Sequence, residues 1–149
     1  ARIFEEIIKD FDVKLWGPPI PKWLHSKLVR KAHQGKSVME LEKSKAFNAA
    51  KIVVNTFQAE VGGVNLRTFE AAACGAFQIC EYRKELEELF EIGKEIVTFE
   101  NLNDLKEKIR YYLDHPEERK RIAEAGMRRA QNYTYKDRIE KIFQTLENI

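Results

Sequence analysis

Residues 52–80, IVVNTFQAEVGGVNLRTFEAAACGAFQIC, decide the fold. The apolar run Ile52, Val53, Val54 reads as a buried parallel strand, and a Gly-Gly loop follows it. A helix opens near Asn65, and Gly75 stops it before a second strand over Ala76 to Cys80. Strand, helix, strand in this order is a βαβ unit, whose parallel strands need such a crossover. In open parallel sheets the ligand lies beyond the carboxyl ends of the strands, which singles out the loop from Thr56 to Val64 and the first turn of the helix.

Working outward, helices and strands continue to alternate. Ile3, Phe4, Ile7, Ile8 and Phe11 keep helical spacing, and Val13, Leu15 and Trp16 supply a short strand before Gly17 and two prolines. Pro21 to Lys31 reads as a short helix, and Glu40 to Ala50 as an amphipathic one. Downstream come a helix over Lys84 to Phe90, a strand over Ile96 to Phe99, and a helix capped by Asn101 or Asn103 that ends at His115-Pro116. Two helices, Glu117 to Tyr133 and Tyr135 to Ile149, close the chain. The alternation predicts an α/β fold, a Rossmann-like doubly wound parallel sheet with closing C-terminal helices, in a single domain over residues 1–149. Such a half normally opens on a strand, whereas this sequence opens on a helix. That order fits a domain truncated at its N-terminus, with an upstream strand and a partner domain lying outside it.

Bulk composition excludes several classes. The 26 basic and 24 acidic residues leave a net charge of +2 with no basic field, so nucleic acid is not an expected partner. No apolar run approaches a membrane span and the acidic amphipathic start is unlike a signal peptide, so no transmembrane segment and a cytoplasmic location are expected. Cys74 and Cys80, each among apolar neighbours, read as reduced thiols. His25, His33 and His115 are scattered without metal-ligand partners, so no metal site is expected. Trp16 and Trp23 read as core or interface aromatics.

The residues able to do chemistry cluster in the opening stretch. A helix N-terminus offers unsatisfied N–H groups and a partial positive charge, so Gly62, Gly63, Val64, Asn65 and Leu66 form a candidate phosphate seat. A Gly-Gly turn into a helix explains the same residues without any ligand. Arg67 shifts the balance, because a cation in the first turn opposes the helix dipole and needs another reason to be there. Arg67 and Glu70 share a helix face, beside a stripe of Leu66, Phe69 and Ala73 expected to pack on the sheet. They are either a surface ion pair or a phosphate contact and a ribose contact, the carboxylate accepting two hydroxyls side by side. Asn55 and Glu60 lie at or beyond a strand end, and Glu81, Tyr82 and Arg83 border the same crevice.

The string NLRTFEAAACGAFQIC, preceded by KIVVN, resembles the donor-binding C-terminal half of GT-B glycosyltransferases of the group 1, family 4 type. Within that type it is most similar to the spore-maturation-protein-like glycosyl transferase branch. The run from KELEELFEIGKEIVTF to NYTYKDRI resembles the same branch in order and nearly without gaps, so the likeness spans about Lys36 to Ile142. The resemblance implies a nucleotide-sugar donor of UDP or GDP type as substrate, with no cofactor and no required metal. It puts Glu70 on the ribose hydroxyls, the backbone of Val64 to Leu66 at the diphosphate and Arg67 on phosphate charge. It also implies that the acceptor site lies in a missing N-terminal domain, without which this chain is inactive. One departure stands out: many relatives carry a glutamate where this sequence has Gly62, and Glu60 lies two residues away. A noncatalytic nucleotide-binding or protein-interaction module of the same fold is the alternative reading.

Overall fold

The structure, a computed structural model, describes residues 2–57 and 62–147. Two compact units divide the chain, Ala1–Ala46 and Phe47–Ile149.

The first unit contains helices α1 (Arg2–Ile8) and α2 (Lys27–Ala32) and the start of α3 (Glu40–Ala49). Its core is small: Ile7, Val29 and Ala32 are buried. Ser26 caps α2, its Oγ accepting from the Val29 N–H at 3.3 Å and donating to Glu5 at 2.7 Å. The helix therefore starts at Lys27 and not at Pro21, because the Arg30 guanidinium donates to the Pro21 and Leu24 carbonyls and holds that stretch as turns. The strand expected over Val13 to Trp16 is a single parallel bridge between Leu15 and His33. Gly17, Pro18, Pro19 and Pro21 follow at once, and prolines have no N–H with which to extend a ladder. Trp16 and Trp23 are exposed, which removes the core reading of both. Helix α3 has no fully buried residue, and the amphipathic face expected of it is reduced to Phe47, half-buried against Val53, Ala71 and Ala76.

The second unit is the α/β body. Its sheet has three parallel strands in the order β1 (Val53–Asn55), β2 (Gln78–Glu81), β3 (Val97–Phe99). Asn55 is in register with Cys80, and Cys80 with Thr98. Helix α4 (Leu66–Ala73) crosses from β1 to β2, and the short α5 (Glu85–Leu89) from β2 to β3. Gly75, at φ +72°, adopts the left-handed conformation that ends α4. After β3 come α6 (Leu102–Asp114), capped by Asn101, then α7 (Pro116–Ala130) with proline in its first turn, and α8 (Tyr135–Glu147).

Strand alternation distributes the helices over both faces. Cys80 turns to α4 and joins Phe69, Ala72, Leu86, Phe90, Ile96 and Ala130 in one buried cluster. Phe77 turns the other way, its ring 4.7 Å from that of Tyr112 on α6. Each fully buried large side chain in these two layers contributes about 1.5–3 kcal/mol of hydrophobic stabilisation. Helix α7 closes against the same body at Gly126, where a Cβ would stand 2.4 Å from the Glu95 carbonyl oxygen. Only glycine lets the helix come that near. The second unit is thus a Rossmann-like α/β half-domain, as the alternation predicts.

Candidate functional site

The site is built where β1 runs out. Asn55, the last residue of β1, is wholly buried, and so is Thr68 in the first turns of α4. Burying two polar side chains is costly unless every donor and acceptor is paired, and here they are paired with each other and with Asn65. The Asn55 Nδ2 donates to Asn65 Oδ1 at 3.0 Å and to Thr68 Oγ1 at 2.9 Å. The Asn65 Nδ2 donates back to Asn55 Oδ1 at 3.1 Å and to the Thr56 carbonyl at 3.2 Å. Asn65 is also the N-cap of α4, its Oδ1 accepting from the Thr68 N–H at 3.2 Å. One network therefore fixes the end of β1 to the start of α4.

Arg67 sits on top of this network. Among the described residues its hydrogen bond runs off the helix, from Nη1 to Asn55 Oδ1 at 3.4 Å. Glu70, half-buried, lies one turn further along the same outward side. Leu66 is half exposed and Ala73 exposed, while the buried positions of α4 are Thr68, Phe69, Ala71 and Ala72. The expected packing stripe of Leu66, Phe69 and Ala73 is therefore corrected to one centred on Phe69 and Ala72, which leaves Leu66 outside. Val64 packs its side chain against the Phe69 cluster.

Gly63 has φ +82°, where a side chain would be strained, and Gly62 does not. Among the described residues, neither position has an atom within 4 Å of where a Cβ would stand, so none of them demands glycine at Gly62. Glu60 lies outside the described residues.

Glu81 and Tyr82, the other candidates at this edge, have partners within the protein. The Glu81 Oε2 accepts from the Phe57 N–H at 3.0 Å and so ties the chain leaving β1 to the end of β2. The Arg83 guanidinium lies 5.2 Å over the Phe57 ring. The exposed Tyr82 hydroxyl donates to Glu87 at 2.7 Å, a bond that raises its pKa. Beneath the site, burial pushes the Cys80 thiol up to about 12, outweighing the opposing hydrogen bonds from Asn55 and Thr68 and the charge of Arg67. Cys80 is therefore a neutral thiol at physiological pH and no nucleophile. Among the described residues, Cys74 and Cys80 form no disulfide.

Among the described residues no group of His, Cys, Asp and Glu is arranged to hold a metal ion, and no helix is long and apolar enough to cross a membrane. A shallow depression of about 220 Å3 lies at the opposite, N-terminal ends of the strands, lined in part by Lys51, Gly75, Phe77 and Arg119. Ligands of parallel sheets bind at the carboxyl ends, so the Asn55–Arg67 corner is the better candidate. The part of this corner that residue patterns missed is the buried one. Its sequence signal is a polar Asn55 ending an apolar strand, with Asn65 and Thr68 following at the start of the crossover helix.

Comparison with known proteins gives the chain a family. A family profile described as glycosyl transferase-like matches residues 1–144. The chain is also 28% identical over 137 residues to the spore protein CgeB of Bacillus subtilis strain 168. That alignment covers 82% of this chain and 42% of CgeB, so the chain spans less than half the length of this relative. With the profile covering nearly every residue, the chain belongs to the glycosyl transferase-like family.

Proposed function

We propose that the Asn55–Arg67 corner binds the diphosphate of a nucleotide-sugar donor, of UDP or GDP type, for transfer of the sugar to an acceptor. The observation that carries this reading is Arg67. It stands in the first turn of an eight-residue helix, where a cation opposes the dipole, and its guanidinium reaches back to Asn55 at the end of β1. An anion at that corner reverses the penalty. The backbone N–H groups from Gly62 to Leu66 and the helix dipole add to the same attraction, and Glu70 accepts the ribose hydroxyls.

Transfer breaks the bond between the anomeric carbon and the diphosphate oxygen. The bonding pair leaves with the diphosphate, while the acceptor hydroxyl attacks the carbon and gives up its proton. Negative charge therefore grows on the leaving group, where Arg67 and the α4 N-terminus stabilise it without a metal. In this reading the acceptor and its base come from a further domain, and the present chain supplies the donor half.

Calorimetric titration of UDP and GDP into wild type, Arg67→Ala and Glu70→Ala tests the reading. Each contact is charge-assisted and worth roughly 1.5–3 kcal/mol, so either alanine weakens binding about ten- to hundredfold. Equal affinity in all three proteins removes both residues from the site. Turnover of a nucleotide sugar by this chain alone, above the Glu70→Ala control, contradicts the need for a second domain.

A further inference from the structure

Asn55 is buried at the end of β1, yet its Oδ1 is the group that receives the Arg67 guanidinium. We infer that Asn55 is a positioning residue for the donor diphosphate: it orients Arg67 from below without neutralising it. The inference rests on the reading of Arg67 as the phosphate contact and adds what sets that arginine.

Three observations support it. First, Asn55 cannot turn away, because its amide is fixed by Asn65 and Thr68 from Nδ2 and by Asn65 again at Oδ1. The acceptor offered to Arg67 is therefore stationary. Second, the acceptor is uncharged. A carboxylate at the same place would form a close ion pair with the guanidinium and compete with a phosphate for it. Third, the bond is long, 3.4 Å, so a phosphate making shorter charge-assisted bonds gains the guanidinium without having to displace a strong partner. An orienting contact that is weak, neutral and rigid is suited to holding a cation ready for an anion.

The test is a double-mutant cycle on UDP affinity in the 149-residue chain. Asn55→Asp keeps the shape and the acceptor facing Arg67 and adds the charge, while losing the bonds that Nδ2 donates to Asn65 and Thr68; Asn55→Ser is uncharged and too short to reach Arg67, and it serves should the aspartate variant fail to fold. Thermal melts confirm folding of each. Asn55→Asp is expected to lose about tenfold in affinity, and Asn55→Ser about threefold. Both losses are expected to shrink in the Arg67→Ala background to what the disturbed Asn65 cap contributes, because Asn55 acts chiefly through the Arg67 side chain. Losses of the same size in both backgrounds overturn the inference and leave Asn55 a purely structural residue. So does wild-type affinity in folded Asn55→Ser and Asn55→Asp. A wild type that binds neither UDP nor GDP is a different result: it refutes the donor-site reading itself, and the inference falls with it.

Discussion

Asn55 and Asn65 exchange two side-chain hydrogen bonds, at 3.0 and 3.1 Å, joining the last residue of a strand to the cap of the helix that follows. Each amide gives one donor and one acceptor to the other, so removing either residue takes two hydrogen bonds from its partner. The join between the end of β1 and the first turn of α4 depends on this exchange.

Asn65→Ala should therefore cost more than an ordinary cap. Loss of the cap is worth about 1 kcal/mol, and the two side-chain bonds lost to Asn55 add about 1–3 kcal/mol together. Asn65→Asp keeps the cap to the Thr68 N–H and should cost less. Urea denaturation of the three proteins checks the order, and equal midpoints would show that the exchange carries no energy.

Two glycines separate packing from approach. Gly126→Ala forces a Cβ to within 2.4 Å of the Glu95 carbonyl, backbone that cannot step aside, and should destabilise by about 1–3 kcal/mol. Gly62→Ala meets nothing within 4 Å among the described residues and needs no unusual backbone, so its melting temperature should match wild type. A change in UDP affinity at Gly62→Ala with unchanged stability would place the ligand against that backbone.

The Cys80 thiol links stability to alkaline pH. Its pKa is raised by burial from the ordinary 9.0 to about 12, so below pH 9.0 the thiol is protonated folded or unfolded and its contribution is fully present. Between pH 9.0 and about 12 the unfolded chain ionises first, and stability falls by up to about 4 kcal/mol. Tyr112, also raised by burial, acts in the same direction, so the readout is a difference between proteins. Cys80→Ala should lose stability less steeply than wild type across this window. Parallel slopes would show that the thiol does not titrate differently in the two states.

The tether at Glu81 is a further case. Glu81→Ala frees the Phe57 N–H and should cost about 1.5–3 kcal/mol through the loss of a charge-assisted bond. Glu81→Gln keeps an acceptor and should cost less. If both variants keep full stability and lose nucleotide binding, Glu81 meets the ligand instead of the backbone.

The α/β half-domain was legible because its signals are local: the apolar run at Ile52 to Val54, the cap at Asn65, the stop at Gly75. Those positions agree with the structure to within a residue. Three readings failed where local pattern competes with surroundings. Val13 to Trp16 has strand-like residues, but the prolines behind it leave only the Leu15–His33 bridge. Leu66 has the spacing of a core residue, but it is the first residue of its helix and overhangs the packed layer. The apolar residues of α3 are spread around the helix, and none is fully buried, Phe47 being half-buried against Val53 and Ala71. Within the candidate site, Arg67 stood out as a charge placed against a dipole. Asn55 reads as a strand-end residue able to meet a ligand and Thr68 as no candidate at all, because a buried polar network reveals itself only when its members are seen touching.

The most direct measurement compares UDP with uridine in wild type and Arg67→Ala by calorimetric titration. If Arg67 meets the diphosphate, wild type binds UDP far better than uridine, and Arg67→Ala weakens UDP about ten- to hundredfold while leaving uridine unchanged. If Arg67→Ala binds UDP as wild type does, or loses uridine and UDP by the same factor, the diphosphate does not lie on Arg67 and the proposed donor site is wrong.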